Sequence, residues 1–436
     1  MQRLALVACA SFTSLMSQAH ATSFNSQDIA TDLSFIETQV TKTLTSLGSP
    51  ASGYPVSGGE SGTWTTTTPS SGSQGWTTGF FPGQLWLLYQ ATGSQQWLTA
   101  AQAWTAPLAS QAGGRPIDPT DIGFIIGTSF GNGYRLTGDP SYKIVLVTTG
   151  NSLASLYNPN VGAVRSWTFP QYQFPVIIDS MMTLGPLQWG ASNGGSSTWA
   201  GIAATHAQTV TTNLVRSDGS TFEVADFDPT TGALLSQGTF AGFSDSSTWA
   251  RGQAWALYGF VQAYQTSDNP AFLTTAEEVA SYFVDHSPAN GIPPWDFDAP
   301  GTQPVDTSAA AIAADGLVML STVAGTSALK AEYLMDAENI LGSLSSLYLG
   351  PASGESVLFD GFPGNGGTNT ALIYGDYYFT EALLGLQDVL DGKPGWVLYS
   401  PTTVPESSTW AMMLLGFAGV GFAGRRRARA SRAAAV

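Results

Sequence analysis

The chain has 436 residues, 43% of them hydrophobic and 11% aromatic, enough to bury a large core in one globular domain. Residues 22–403 hold nine Lys and Arg against 30 Asp and Glu, a net charge of about −21. That balance argues against a nucleic-acid partner, and it favours a short acidic ligand held by one or two local cations over a long polyanion. The single cysteine is Cys9 and the histidines beyond residue 21 are His206 and His286, so disulfide, thiol and zinc chemistry are not expected, nor any metal or cofactor.

At the N-terminus Arg3 precedes an apolar run from Leu4 to Met16. Ala19-His20-Ala21 then offers the small residues of a secretory cleavage site, which predicts a signal peptide over residues 1–21 and a catalytic domain over 22–400. The Gly- and Ser-rich stretch from Ser49 to Gly75 reads as a long loop. Beyond it a weak repeat sets in. Leu88 to Trp97, Tyr134 to Tyr142 and Tyr264 to Phe272 each carry a short polar turn that stops one apolar helix and caps the next, with Pro140 and Pro270 where a first turn tolerates proline. These are αα-hairpins. With Ala-rich helical stretches such as Ala309 to Leu320 between them and little strand-like alternation, they predict an all-α toroid of helix pairs, with an α-solenoid as the competing arrangement. Gly350 to Thr370 reads as a second long loop.

Three segments carry more chemistry than a helix core needs. In Asp118-Pro119-Thr120-Asp121-Ile122-Gly123-Phe124 a carboxylate leads into an apolar helix, which an N-cap role alone would explain. In Pro175-Val176-Ile177-Ile178-Asp179-Ser180-Met181-Met182 an acid is enclosed by apolar neighbours, where its charged form is costly and its pKa should rise, the condition for a general acid near neutral pH. In Trp249-Ala250-Arg251-Gly252-Gln253-Ala254-Trp255 the spacing puts Arg251 and Trp255 on one helix face. A guanidinium that grips a carboxylate beside an indole that covers a ring suits a uronic acid; a core Arg–Trp stack is the structural alternative.

Taken in order, these segments resemble the unsaturated glucuronyl hydrolases of glycoside hydrolase family 88. The matching stretches are Trp76-Thr77-Thr78-Gly79-Phe80-Phe81-Pro82-Gly83, Asp121-Ile122-Gly123-Phe124, Ile178-Asp179-Ser180-Met181-Met182, Trp249 to Trp255, Pro294-Trp295-Asp296-Phe297-Asp298-Ala299-Pro300, Asp306-Thr307-Ser308-Ala309-Ala310 and Gly375-Asp376-Tyr377-Tyr378-Phe379. The resemblance covers roughly residues 70–390. The resemblance implies an (α/α)6 barrel and an unusual glycosidase chemistry in which the acid hydrates the C4=C5 double bond left by a polysaccharide lyase. By the same resemblance Asp179 is the proton donor, Asp121 its neighbour on the substrate hydroxyls, and Arg251, Trp255, Trp249, Thr239 and Trp76 are substrate contacts. The chain departs from the family pattern at Thr120, Glu223, Phe240 and Ala241, where the family often carries His, His and a His-Gln pair, and that leaves the substrate subtype open.

The C-terminal stretch runs from Val404-Pro405-Glu406-Ser407 through an apolar run, Trp410 to Gly424, into Arg425, Arg426, Arg427 and Arg429. Residues 404–432 resemble a PEP-CTERM sorting signal, with Ser407 in place of the usual second proline. An ordinary membrane anchor is the alternative. The implied setting is the cell envelope or exterior of a Gram-negative bacterium. Two other functions remain open on sequence: an unsaturated galacturonyl hydrolase of pectin fragments, and a non-catalytic envelope sugar-binding protein.

Overall fold

The computed structural model describes residues 24–59, 62–72, 74–364, 370–394 and 399, so the signal-peptide and sorting-tail expectations lie outside the described residues. Among the described residues no helix is long and apolar enough to cross a membrane.

Helices dominate: α1 Ser26–Leu47, α2 Phe80–Thr92, α3 Gln95–Thr105, α4 Ile122–Ile126, α5 Asn132–Thr137, α6 Pro140–Ala154, α7 Gly185–Gly190, α8 Thr198–Asn213, α9 Ala250–Ser267, α10 Pro270–His286, α11 Thr307–Val323, α12 Ser327–Leu347 and α13 Ile373–Leu390. A π-turn at Gly127–Gly131 joins α4 to α5. The three predicted hairpin turns all form. Gly93, Gly138 and Asp268 end their helices in the left-handed region, and Asp139 and Asn269 cap the next ones.

Burial sorts the helices into two rings. Along α9 every residue from Ala250 to Ala263 is buried, as is every residue of α11 from Thr307 to Ser321 and of α13 from Ile373 to Leu386. A helix buried all round has no solvent face and must line the interior. By contrast α1 buries only a stripe, Ile29, Asp32, Leu33, Ile36, Gln39, Val40 and Thr43, and α10 buries Phe272, Ala276, Val279 and Phe283 among others. The inner ring closes in the order α2, α4–α5, the turn Ile178–Thr183 with α7, α9, α11, α13 and back to α2, while α3, α6, α8, α10, α12 and α1 pack outside. This is the (α/α)6 toroid. Its core is one continuous cluster in which Phe80, Trp86, Trp255, Phe260 and Phe379 are fully buried, each contributing about 1.5–3 kcal/mol relative to exposure.

One loop expectation is corrected. Ser49 to Gly75 contains a hairpin, β1 Tyr54–Gly58 with β2 Trp64–Thr67, completed by β8 Ala371–Leu372. Buried Tyr54, Val56 and Trp64 hold it to the core among a Gly/Ser/Thr background that hides the alternation. Two further small sheets form, β3 Tyr157–Asn158 with β4 Ala163–Val164, and β5 Pro175–Ile177 with β6 Val224–Phe227 and β7 Leu234–Gly238. The second of these positions the candidate acid.

Candidate active site

The inner helices α2, α4, α9, α11 and α13 all begin at the same end of the toroid, and the predicted site residues sit at or just before those starts. Trp76 precedes α2, Asp121 precedes α4, Arg251 lies in the first turn of α9, and Asp179 lies in the 3-10 turn Ile178–Thr183 that follows β5. Helix N-termini carry partial positive charge, so this mouth counterpoises a cluster of carboxylates and an anionic ligand alike.

Neither acid is a helix cap. Asp118 and Asp121 both precede helical turns, yet neither side chain makes a capping hydrogen bond. Asp121 is 8% exposed, and its carboxyl is pushed well above the usual range by burial first and then by Asp118, against the pull of Arg115, with Asp179 adding to the push. Asp118 itself is held up at about 6 by burial, with Arg115 opposing at 4.0 Å. Asp179 is raised to about 7, mainly by burial and next by the charge of Glu223, while Arg251 and its own backbone N–H pull it down. Its Oδ2 is buried without a hydrogen-bond partner among the described residues. Glu223 is thus a like-charge neighbour of Asp179, and Asp179 in turn of Asp121, so the three acids form one linked cluster.

The turn carrying Asp179 is clasped by backbone-close contacts. A Cβ on Gly123 of α4 would sit 2.4 Å from Thr183 Cβ, and one on Gly259 of α9 would sit 2.5 Å from Met181 Cβ, so only glycine lets both helices approach. From the outer ring, His206 of α8 accepts from Val164 N at 3.0 Å through Nδ1, which leaves Nε2–H to donate to Ser180 Oγ at 2.8 Å. Burial lowers its pKa to about 3, so it is a neutral strut beside the acid.

Arg251 is 5% exposed and pairs with the fully buried Asp306 at 2.7 Å; the same Nη1 also donates to the Phe362 carbonyl at 2.7 Å and to Ser308 Oγ at 3.3 Å. Burial disfavours its charge, but Tyr374, Asp306, Asp179 and Glu223 together raise its pKa further, so it is permanently charged. Its guanidinium lies 4.6 Å from the Trp249 ring centroid and 5.1 Å from that of Tyr374. Trp255, the partner expected from helical spacing, is 1% exposed and packs instead on Phe124 at 5.2 Å and Tyr378 at 5.3 Å. It is a core residue beneath the site. Trp76 is partly exposed and stacks on Tyr374 at 5.1 Å, so Trp76, Tyr374, Arg251 and Trp249 make one aromatic and cationic wall.

The four departures also find their places. Thr120 is buried, with Oγ1 donating to the Ser166 carbonyl at 3.4 Å. Glu223 is the larger surprise. Its Oε2 accepts from Thr239 Oγ1 at 2.6 Å and from the Phe240 and Ala241 N–H groups at 2.7 Å each, while its backbone carbonyl accepts from Ile178 N at 2.9 Å. One residue thus ties the loop 239–241 to the turn of the acid. Thr239 is committed to this loop, accepting also from Gly242 N at 2.7 Å. Sequence reasoning missed the roles of Glu223, His206 and Asp306. Only Asp306 had a readable signal, an acid directly ahead of Thr-Ser and an Ala-rich helix, and it does cap α11.

No family model matches the chain. It is 37% identical over 332 residues to an unsaturated glucuronyl hydrolase of Formosa agariphila, covering 73% of this chain and 81% of the relative. It is 30% identical over 331 residues to an unsaturated glucuronyl hydrolase of a Bacillus species, covering 73% and 87%. A solved structure of an unsaturated glucuronyl hydrolase specific for heparin superposes with a TM-score of 0.79 at 34% identity, covering 84% of this chain and 99% of that one.

Proposed function

The chain belongs to the unsaturated glucuronyl hydrolases of glycoside hydrolase family 88, and from that premise we propose that Asp179 and Asp121 carry its reaction, removal of the 4,5-unsaturated glucuronyl residue from the non-reducing end of lyase-generated oligosaccharides. The observation that carries the reading is Asp179 itself: a carboxyl held up near 7, with an unpartnered buried oxygen, beside a permanently charged arginine. A carboxylic acid that keeps its proton at neutral pH can deliver it to carbon C4 of the enol ether. The resulting positive character at C5 is met by water, whose proton Asp179 takes back, so the residue ends the step as it began. Water has then added across the double bond, H to C4 and OH to C5. The C5 hemiketal opens and C1, left as a hemiacetal, expels the neighbouring sugar. Because neither carboxyl acts at the glycosidic oxygen, the carboxyl-separation rule for retention and inversion does not govern this reaction.

In this reading the mouth of inner-helix N-termini and Arg251 receives the uronate carboxylate, Trp76 and Trp249 flank the sugar ring, and Asp121 orients its hydroxyls. With the signal peptide read in residues 1–21 and the PEP-CTERM-like tail read in residues 404–432, the enzyme would act at the cell envelope or outside a Gram-negative cell. The test follows decay of the ultraviolet chromophore of the conjugated C=C–COO⁻ group when the protein meets unsaturated disaccharides, with Asp179→Asn alongside. Decay in the parent protein that the variant loses supports the assignment; decay that survives in the variant moves the acid elsewhere.

A further inference from the structure

Behind the ring layer that floors the mouth lies a second chamber that the proposed reaction does not use. Phe124 touches Trp76 of the mouth at 5.5 Å and Trp255 at 5.2 Å, Trp255 meets Tyr378 at 5.3 Å, and Phe124 and Tyr378 both line a cavity of about 70 Å³. Tyr258, Gln262 and Gln265 form its α9 wall, on one helical stripe roughly 10–21 Å along the axis from Arg251. Tyr399 closes another side, its ring 5.9 Å from that of Trp189 and set against Gly127 and Gly131, where a Cβ at either glycine would collide with it. The space takes about five to seven waters, the bulk of one sugar ring.

The polar groups around it fall into two sets. Asn132 donates to the Thr128 carbonyl and to Tyr377 Oη at 2.9 Å each and accepts from Arg135, which also donates to Gln90 Oε1 at 2.7 Å; Tyr377 Oη in turn donates to Glu381 Oε1 at 3.1 Å. The charges answer one another as well. Glu381 bears on Arg135, and Asp315, hydrogen-bonded to Glu381, is pushed well above the usual carboxyl range by burial first and then by the Glu381 charge, so it stays neutral. The second set is idle. The side-chain amides of Gln262 and Gln265 and the hydroxyls of Tyr258 and Tyr378 make no hydrogen bond among the described residues. Gln262 is 6% exposed and Tyr258 9%, so neither reaches bulk solvent for a partner. Buried polar groups in native proteins are hydrogen-bonded, and several idle ones around one cavity call for a ligand.

Each idle group is uncharged and can both donate and accept, which complements a hydroxyl and not an ion. An anion here would face Glu381 and a cation Arg135, each out of water. The Phe124, Tyr258 and Tyr378 rings supply faces for C–H surface between the polar groups. We propose that this cavity is a second carbohydrate site, taking one uncharged polyhydroxylated molecule no larger than a monosaccharide. It is separate from the mouth and does not depend on the hydrolytic reading. Gly123 and Met182 line it, so its occupant lies against the helix that follows Asp121 and the turn that carries Asp179.

The test is calorimetric binding of D-glucose, D-galactose and D-mannose to the intact protein, beside D-glucuronate and D-glucosamine, which keep the ring and add a charge of either sign. At least one neutral sugar should bind saturably, and both charged sugars roughly tenfold or more weakly. Gln262→Leu and Tyr258→Phe each remove one polar group from the cavity and should weaken that sugar roughly three- to tenfold, the scale of one lost hydrogen bond. Trp76→Ala at the mouth should leave it unchanged. The assignment is overturned if no neutral sugar binds, if the charged sugars bind as well, if both cavity variants bind like the parent, or if Trp76→Ala abolishes binding, which would place the sugar in the mouth. Circular dichroism of the cavity variants separates loss of the site from loss of the fold.

Discussion

Replacing Asp179 by Asn should cripple the reaction and at the same time make the protein more stable at alkaline pH. An Asp that ionises at 3.8 in the unfolded chain and at about 7 in the folded one keeps, between those values, a proton that the unfolded chain has given up. Stability therefore falls as pH rises through that window, and the penalty is complete above it. The full difference corresponds to about 4 kcal/mol, which is an upper limit because the variant amide leaves an N–H group where Oδ2 had no partner, returning about 1–3 kcal/mol of that gain. A net gain of about 1–3 kcal/mol at pH 8 remains, a rise in Tm of roughly 1–4 °C for a domain this large. By pH 5 the relief shrinks to about a third of its full size. Thermal melts followed by helical circular dichroism from pH 5 to 8.5 read this directly, while the chromophore assay should show a rate loss of about 10²–10⁴. A Tm difference that is flat with pH, or that favours the parent protein at pH 8, would refute the claim that Asp179 is buried at a cost for the sake of its proton.

Glu223→Gln keeps an acceptor for the loop 239–241 but removes the charge bearing on Asp179, so the alkaline limb of the pH–kcat/KM profile, expected near 7 in the parent, should move to lower pH; a stationary limb removes Glu223 from the proton economy of the site. Arg251→Met strands the fully buried Asp306 without its cation and should cost about 3–5 kcal/mol in urea unfolding, with Asp306→Asn in the same chain recovering part of it. Gly123→Ala forces a Cβ to within 2.4 Å of Thr183 Cβ and should lower kcat more than it raises KM, because the displacement falls on the turn of the acid; steady-state kinetics on an unsaturated disaccharide separates the two.

Much of the toroid was legible because its signals are local. Gly93, Gly138 and Asp268 end helices by their own backbone conformation, and the Ala-rich apolar stretches of α9 and α11 announce helices. Asp179 was legible for a similar reason, since its apolar neighbours lie beside it in the chain. What escaped was non-local. Helical spacing paired Arg251 with Trp255, but the guanidinium reaches back past the helix start to Trp249, which caps α9 in an extended conformation and obeys no helical period. Glu223 read as a missing histidine because its partners, Thr239 to Ala241, come together with it only when β6 and β7 pair. The β1–β2 hairpin was masked by composition, its register set by a few buried aromatic residues among glycines and threonines.

The glycine clasp around Ile178–Thr183 divides the mouth into parts with different freedom to change. Where Gly123 and Gly259 let two helices press against the turn, any added carbon is paid for at the acid, so those positions are closed to drift. The loop 239–241 hangs from the same turn by Glu223 through backbone N–H groups, and those bonds are indifferent to which side chains residues 240 and 241 carry. A lineage can therefore rewrite the side chains of that loop while the acid-bearing turn stays where the glycines put it.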